Sequence, residues 1–143
     1  MTLTKYYQEM EKIYKEQNFV SAVVYVHNNE REIHDFIIQL HKVLTENFLK
    51  FEVIIVNDAS IDNSMACIKE CTENLPKQMI SILNMSYHHG LEASMNAGVD
   101  LAIGDFVFEF DNVYADYTWE TLMGLYFASL NGYDIVSETS NKI

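Results

Sequence analysis

Apolar residues follow two different spacings along the chain, and the two spacings alternate. Continuous apolar runs are typical of buried strands, whereas apolar residues three or four positions apart are typical of helices packed on a sheet. Runs of the first kind predict strands at residues 19–26, 51–57, 78–85, 105–110 and 133–137. Stripes of the second kind predict helices at residues 3–17, 31–48, 62–74, 91–102 and 117–131. The alternation predicts an α/β fold, a three-layer, Rossmann-like sandwich with a mostly parallel central sheet and an additional N-terminal helix.

The first predicted helix is amphipathic and stands apart from the alternating series. Leu3, Tyr6, Met10, Ile13 and Tyr14 form one apolar stripe, which must pack against the rest of the chain or against a partner. We therefore expect residues 1–18 to form a separate helix that is a candidate contact for a homo-oligomer. Residues 19–143 are expected to form one domain, truncated at its C-terminus because no helix follows the last predicted strand to cover the sheet.

The composition is that of a folded globular protein, with 49% hydrophobic and 21% charged residues. No apolar run reaches the roughly 20 residues that a membrane span requires, and the N-terminus lacks the pattern of a signal peptide. We expect a cytoplasmic location, with membrane association only through a longer parent protein. Cys67 and Cys71, four positions apart on a predicted helix, are expected to be ordinary thiols.

The net charge of −12 argues against nucleic-acid binding, because contacts with phosphate backbones rely on clustered Lys and Arg. Lys and Arg are absent between Lys77 and Lys142, whereas acidic residues are frequent there. An anionic ligand bound by this half of the chain needs a divalent metal ion, a helix N-terminus or a protonated histidine.

A polar turn follows the buried strand at residues 51–57 and contains Asp58 and Asp62. Ligands of open α/β sheets bind outside the carboxyl ends of the strands. A carboxylate there can accept the ring N–H of a uracil or a guanine. The alternative is that both residues only shape the turn and cap the next helix.

Four motifs in a fixed order carry polar residues at predicted strand ends and at one helix start. They are YVHNNE at 25–30, VNDASID at 56–62, GLEASMNAG at 90–98 and GDFVFEFD at 104–111. Together they resemble the family 2 glycosyltransferases with the GT-A fold, over residues 19–137. In that family the corresponding motifs end the first two strands, occupy a later helix and end the next strand in an Asp-x-Asp metal motif.

The resemblance implies a nucleotide-binding site, in which Asp58 accepts the base N–H and His27 lies against the base. The residues of this site are His27, Asn28, Glu30, Asp58, Gly90 and Asn96. His88 and His89 could donate to a phosphate at the N-terminus of the following helix. Simpler alternatives are a strand-end histidine for His27, a helix-dipole interaction for Glu30 and a solvated loop for the histidine pair.

The same resemblance places a divalent metal, Mg²⁺ or Mn²⁺, at Asp111, where it would hold the donor diphosphate. Asp116 is the expected second ligand if the turn is rearranged, and otherwise Asp111 binds the ion alone through waters. The alternative for these two residues is a strand-end turn and a helix cap. The second aspartate of the family's metal motif falls on Val113, and positions where the family often has Lys and Arg are Leu91 and Met95.

Sugar transfer from a UDP- or GDP-linked donor is the function that the resemblance implies. The acceptor is unknown, and polysaccharide or lipid-linked glycan synthesis is the expected process. The resemblance also implies inversion at the anomeric carbon and a catalytic base beyond the matched segment, so no residue of this chain is assigned that role. The alternative is a catalytically degenerate scaffold or regulatory module, which the replacements at Val113, Leu91 and Met95 favour. A generic dinucleotide-binding domain is disfavoured, because the first strand-to-helix turn has no glycine fingerprint.

Overall fold

The computed structural model describes residues 2–76, 79–114 and 119–132. Two compact units divide the chain, residues 1–113 and residues 114–143. The helices are α1 (Leu3–Tyr14), α2 (Ile33–Asn47), α3 (Ser64–Glu73), α4 (Leu91–Leu101) and α5 (Trp119–Leu130), and the strands are β1 (Val20–Val26), β2 (Phe51–Asn57), β3 (Ile80–Asn84) and β4 (Phe106–Phe110). The strand predicted at residues 133–137 lies outside the described residues.

The first unit contains a four-stranded sheet in the order β3-β2-β1-β4, and every neighbouring pair is parallel. Val20 at the start of β1 pairs with Phe51 on one side and with Phe106 on the other. The predicted α/β fold with a mostly parallel sheet is confirmed. The chain steps from β1 to β3 in one direction and then returns to the far side of β1, so a switch point lies between β1 and β4. Ligands of open α/β sheets bind outside the carboxyl ends of the strands at such a point.

Helices cover both faces of this sheet, as right-handed crossover connections require. α2 connects β1 to β2, and α3 connects β2 to β3. Because these two connections run in the same direction across the sheet, α2 and α3 lie on one face, where they pack against each other. α4 connects β3 to β4 and contacts β1 and β2. This connection runs across the sheet in the opposite direction, which places α4 on the other face. This arrangement is the predicted three-layer sandwich.

The two central strands are almost entirely buried, which explains why their sequences are continuous apolar runs. On the α4 face, Met95 packs with Val23, Ile54 and Val56. Gly98 lets α4 approach the sheet closely, since a Cβ at this position would lie 2.5 Å from Val23 Cγ1. The buried residues of α2 are Ile33, Phe36, Ile37, Leu40 and Leu44.

The turn before β4 is fastened to the opposite edge of the sheet, away from the carboxyl ends of the strands. Glu52 Oε1 accepts a hydrogen bond from the Ser21 hydroxyl at 2.7 Å and another from the Ile103 N–H at 2.8 Å. The Ser21 hydroxyl oxygen accepts the Gly104 N–H at 2.9 Å. Because Ser21 is fully buried, this network satisfies its hydroxyl and fixes the position at which β4 begins.

α1 ends earlier than the sequence predicts, because the chain after it forms a parallel bridge with the segment before β2. The Glu16 N–H donates to Asn47 O at 2.8 Å, and the Leu49 N–H donates to Glu16 O at 3.1 Å. Several large apolar side chains of α1 are exposed, namely Leu3, Tyr6, Tyr7 and Tyr14. Self-association through this helix stays a prediction, as does the predicted domain boundary at residue 18.

The described part of the second unit consists mainly of α5, whose buried residues are Leu122 and Tyr126. The Tyr126 ring packs edge-on against Phe127, with centroids 5.4 Å apart. Among the residues that the structure describes, none of the helices has both the length and the apolar character needed to cross a membrane.

Candidate functional site

The carboxyl ends of all four strands lie at one edge of the sheet, because the strands are parallel. The chain leaves this edge through segments 27–32, 58–63, 85–90 and 111–113, which contain most of the predicted site residues. Asn28 and Ala59 in the first two segments have left-handed backbone conformations, with φ of 54° and 51°. Non-glycine residues rarely adopt this conformation, so both turns need support from specific hydrogen bonds.

Asn28 joins the turn after β1 to the turn after β2. Its N–H donates to Ser60 Oγ at 3.0 Å, and its side-chain Oδ1 accepts the Ile61 N–H at 2.8 Å. Its amide nitrogen lies 3.3 Å from His27 Nε2. Nucleotide binding by Asn28 stays a prediction, and in this structure its polar atoms hold the two turns together.

Asp62 and Glu30 connect the same two turns closer to the start of α3. Asp62 Oδ2 accepts the Glu30 N–H at 3.1 Å, and Asp62 Oδ1 accepts the Ser64 N–H at 2.9 Å. Glu30 Oε2 accepts the Asn63 N–H at 3.3 Å. The turn-and-cap alternative therefore describes the geometry of Asp62, and the Glu30 carboxylate faces the start of α3.

Asp58 is the central carboxylate of the site and is completely buried. Its Oδ2 accepts the Tyr25 hydroxyl at 2.7 Å and the Gly90 N–H at 3.0 Å, and its Oδ1 accepts the His89 N–H at 2.8 Å. His88 Nε2 lies 3.3 Å from Oδ2. One side chain thus ties the end of β2 to β1 and to the loop before α4.

The ionisation of Asp58 is controlled by these donors. Burial alone would raise the pKa of this carboxyl, because desolvation disfavours the charged form. The hydrogen bonds from His89, Tyr25 and Gly90 outweigh burial and, together with the nearby His88, hold the pKa of Asp58 below its ordinary value. Burial, the hydrogen bond to Asp58 and its negative charge raise the pKa of Tyr25, so this hydroxyl stays protonated and donates.

The Tyr25 contact was not expected from the sequence, in which Tyr25 is only the first residue of the YVHNNE motif at 25–30. Tyr25 lies one position before the end of β1, and its register partner in β2 is Val56. Asp58 follows Val56 by two residues, so this register brings the side chain of Tyr25 close to that of Asp58. The pairing of β1 with β2 was the signal that could have revealed the contact.

His27 lies beside Asp58 because the last residues of β1 and β2, Val26 and Asn57, are register partners. His27 Nδ1 lies 2.6 Å from the carbonyl oxygen of Asp58. A carbonyl oxygen can only accept, so Nδ1 carries the proton and donates. The His27 ring stacks on the ring of His88, with centroids 4.1 Å apart and ring planes at 9°. The two imidazoles and the Asp58 carboxylate therefore form one cluster.

The two adjacent histidines of the loop before α4 have different neighbours. The His88 ring faces the cluster, whereas the His89 ring stacks on Tyr87 with centroids 3.9 Å apart and donates from Nδ1 to the Tyr87 carbonyl. Gly90, at the N-cap of α4, has φ of +89°, and an added Cβ would meet no heavy atom within 4 Å. The start of α4 is thus open to a ligand, and phosphate binding by the histidines stays a prediction.

The other predicted residues occupy different elements. Asn96 is exposed in the second turn of α4. Asp111 is exposed directly after β4, with the Asn112 amide nitrogen 3.4 Å from its Oδ1, and Val113 is buried. Asp116, the second predicted metal ligand, lies outside the described residues.

Acidification is expected to destabilise the first unit through Asp58 and Asp62. Burial opposes ionisation of Asp62 as well, but hydrogen bonds from Ser64 and from backbone N–H groups hold its pKa below the ordinary value. The stabilisation from both carboxylates is present above the unfolded-state pKa of about 4 and is lost as the pH falls through the lower folded-state values. Urea midpoints measured from neutral pH downward should therefore fall steeply below about pH 4. Asp62→Asn should lose less stability over that interval than the native chain does, and an equal loss in both would contradict the assignment.

A comparison of the sequence with models of protein families identifies the family of this chain. The model of glycosyl transferase family 2 matches residues 21–127, which include β2, all of β1 except Val20, and the turns that hold Asp58 and His27. The chain belongs to glycosyl transferase family 2. The resemblance carried by the four sequence motifs is thereby confirmed.

The curated relatives that this chain matches are longer than the chain. The uncharacterized glycosyltransferase sll0501 of Synechocystis sp. is 32% identical over 120 residues, which are 84% of this chain and 37% of that protein. The undecaprenyl-phosphate 4-deoxy-4-formamido-L-arabinose transferase of Aeromonas hydrophila is 26% identical over 117 residues, which are 82% of this chain and 35% of that protein. The chain thus spans little more than a third of the length of these relatives.

Solved structures confirm the GT-A fold for this family 2 chain. The mannosyltransferase PcManGT from Pyrobaculum calidifontis, in complex with GDP-Man and Mn²⁺, has a TM-score of 0.63 at 18% identity, covering 84% of this chain and 37% of that one. TarS 1-349 of S. aureus, in complex with UDP, has a TM-score of 0.57 at 18% identity, covering 86% of this chain and 39% of that one.

Proposed function

We propose that this chain is the nucleotide-sugar-binding part of a glycosyltransferase that uses a UDP- or GDP-linked donor. The observation that carries the proposal is the placement of Asp58 after β2 and Asp111 after β4, at the same edge of an all-parallel sheet. β1, which leads to His27, lies between these strands and beside the switch point. The GDP-Man and UDP complexes of two proteins with this fold support a nucleotide diphosphate as the ligand.

Base recognition is assigned to the cluster around Asp58. A base N–H can bond to Asp58 after one of the present donors leaves. The backbone N–H groups of His89 and Gly90 are fixed at the start of α4, whereas the His88 side chain is 57% exposed. We expect the base N–H to replace His88 at Oδ2. The His27 ring, no longer stacked on His88, then presents a flat face to the base.

The divalent metal is assigned to the carboxyl end of β4. Asp111 offers one exposed carboxylate, and the buried Val113 offers no ligand atom. This donor set fits Mg²⁺ or Mn²⁺, which bind through one or two carboxylates, several waters and the phosphates of a substrate. The ion, when bound, would neutralise the diphosphate leaving group. Its charge would also offset the acidic surroundings, which lack Lys and Arg from residue 78 to residue 141.

The full reaction is assigned to the longer enzyme of which this chain would form a part. There the sugar would pass, with inversion, to a glycan or lipid-linked acceptor, in polysaccharide or lipid-linked glycan synthesis. The similarity to an undecaprenyl-phosphate sugar transferase supports a lipid-linked acceptor. The catalytic base would come from a segment outside the matched residues.

A scaffold without sugar transfer is the second candidate, and three side chains favour it. Met95 packs in the hydrophobic core, Val113 is buried, and Leu91 places an apolar side chain at the start of α4. Val113 stands at the second aspartate of the family's metal motif, and Leu91 and Met95 stand where the family often has Lys and Arg. These positions therefore contribute neither charge nor metal ligands to the site.

Calorimetric titration separates the two candidates. UDP, GDP and their sugar derivatives are titrated with Mn²⁺ and with a chelator into the native chain, Asp111→Asn and Asp100→Asn. Asp100 is the matched control, an exposed aspartate near the far end of α4. The enzyme proposal expects saturable binding with Mn²⁺, weakened about tenfold or more by Asp111→Asn and unchanged by Asp100→Asn. Absence of saturable heat with every nucleotide would overturn it in favour of the scaffold.

A further inference from the structure

Three side chains from three different segments bring metal-ligand atoms together at the carboxyl edge of the sheet. His27 follows β1, Asp58 follows β2 and His88 lies in the loop between β3 and α4. One ligand atom from each lies within 4.8 Å of the others, the only such group of three found among the described residues. This cluster is separate from Asp111, the residue to which the proposed function assigns Mg²⁺ or Mn²⁺. It coincides with the cluster to which base recognition is assigned, so an ion and a base would be alternative ligands of Asp58.

The donor types select a different class of metal. Mg²⁺ and Mn²⁺ favour oxygen ligands, whereas imidazole nitrogen suits Zn²⁺, Co²⁺ and Ni²⁺. Two imidazoles and one carboxylate are an established ligand set for Zn²⁺, with water in the fourth position. The cluster therefore matches a transition-metal ion better than it matches the metal of the sugar donor.

Hydrogen bonds already orient two of the three ligands, His27 and Asp58. The His27 Nδ1–H donates to the Asp58 carbonyl, which leaves the lone pair on Nε2, where the Asn28 amide makes a long contact at 3.3 Å. Such a bond fixes the tautomer and the ring orientation that a metal requires. The Asp58 carboxylate is held in turn by the Tyr25 hydroxyl and two backbone N–H groups.

The third ligand has to turn before an ion can bind. Ring lone pairs lie in the ring plane, and the His27 and His88 planes are nearly parallel, so their nitrogens do not converge in the stacked arrangement. The His88 side chain is 57% exposed, and the backbone on its C-terminal side is anchored to Asp58. Rotation about the side-chain bonds of His88 can therefore bring its Nε2 to a shared ion without disturbing the loop.

We propose that His27, Asp58 and His88 bind one transition-metal ion of the Zn²⁺ class. Two imidazole nitrogens and one carboxylate oxygen form the site, and water completes it. Binding exchanges the His27–His88 stack for two metal–nitrogen bonds and displaces the proton from any ligand nitrogen that carries it.

The test uses Co²⁺ as a coloured substitute for Zn²⁺, with the full chain freed of metal by a chelator. The proposal expects a saturable visible absorption with one ion per chain, abolished by one equivalent of Zn²⁺. His88→Gln should weaken Co²⁺ binding by about tenfold or more, and His27→Gln should do the same. Thermal unfolding of each variant without metal verifies that it is folded.

Matched controls come from the other histidines of the chain, which has five in total. His89→Gln changes the neighbouring residue of the same loop, and His34→Gln changes an exposed histidine of α2. Both variants should bind Co²⁺ within about twofold of the native chain. Three results would overturn the proposal: no saturable absorption, losses in the control variants as large as in His88→Gln, or undiminished binding by His88→Gln. No nucleotide is present, so failure here leaves the proposed sugar-nucleotide function unaffected.

Discussion

Asp58→Ala is expected to lower the free energy of unfolding of the first unit by about 3–5 kcal/mol. The substitution removes the acceptor for the Tyr25 hydroxyl and for the N–H groups of His89 and Gly90. Asp58 is completely buried, so water cannot replace the carboxylate without opening the loop. Each donor left without an acceptor costs about 1–3 kcal/mol. Urea unfolding followed by circular dichroism measures the loss.

Two further variants provide smaller expected changes in the free energy of unfolding for comparison. Tyr25→Phe removes one of the donors and should cost about 1–2 kcal/mol, since the carboxylate retains both backbone N–H groups. Asp100→Ala removes an exposed aspartate of α4 and should change stability by no more than about 0.5 kcal/mol. If Asp58→Ala were as stable as Asp100→Ala, the description of Asp58 as a buried, hydrogen-bonded carboxylate would be wrong. Because Asp58 supports the fold, the exposed Asp111 gives the cleaner test of nucleotide binding.

Gly104→Ala is expected to destabilise the first unit by about 3 kcal/mol. A Cβ at Gly104 would lie 2.6 Å from Ser21 Oγ, 2.8 Å from Ser21 N and 2.9 Å from the Val20 carbonyl carbon. Two of these atoms belong to the backbone of β1 and cannot move away without disturbing the central strand. The shift would also break the hydrogen bonds that Ser21 makes with Glu52 and Gly104. A lowered urea midpoint with an unchanged slope is the expected observation.

Gly124→Ala is the matched control for the glycine substitution. Gly124 lies inside α5, and an added Cβ would meet no heavy atom within 4 Å. Alanine favours a helix over glycine by about 0.5–1 kcal/mol, so this variant should gain helical stability. Equal stability of Gly104→Ala and the native chain would show that the turn before β4 is not packed on β1 as described.

The strands of the central sheet could be predicted from the sequence because burial on both faces produces continuous apolar runs. β1 and β2 were predicted to within one residue, and the carboxylate expected at the end of β2 is there. The motifs also identified the family, since four ordered blocks constrain the topology more strongly than any single block does. The topology then places Asp58 and Asp111 at one edge without further assumptions.

The partners of Asp58 could not be predicted, because they depend on loop closure rather than on local pattern. The His89 and Gly90 N–H groups that bind Asp58 belong to residues 31 and 32 positions away along the chain. Backbone donors leave no signature in the side-chain sequence. The apolar stripe of α1 was predicted from the sequence. Periodicity alone could not reveal that two of its residues, Tyr6 and Tyr14, would be exposed.

The enclosure of Asp58 by three segments affects how this lineage can evolve. A member of the family without catalytic activity would still need an acidic residue here to close its loops, so purifying selection on the position would outlast catalysis. In genome surveys, an intact aspartate after the second strand therefore indicates a domain able to fold and is not by itself a marker of a working enzyme.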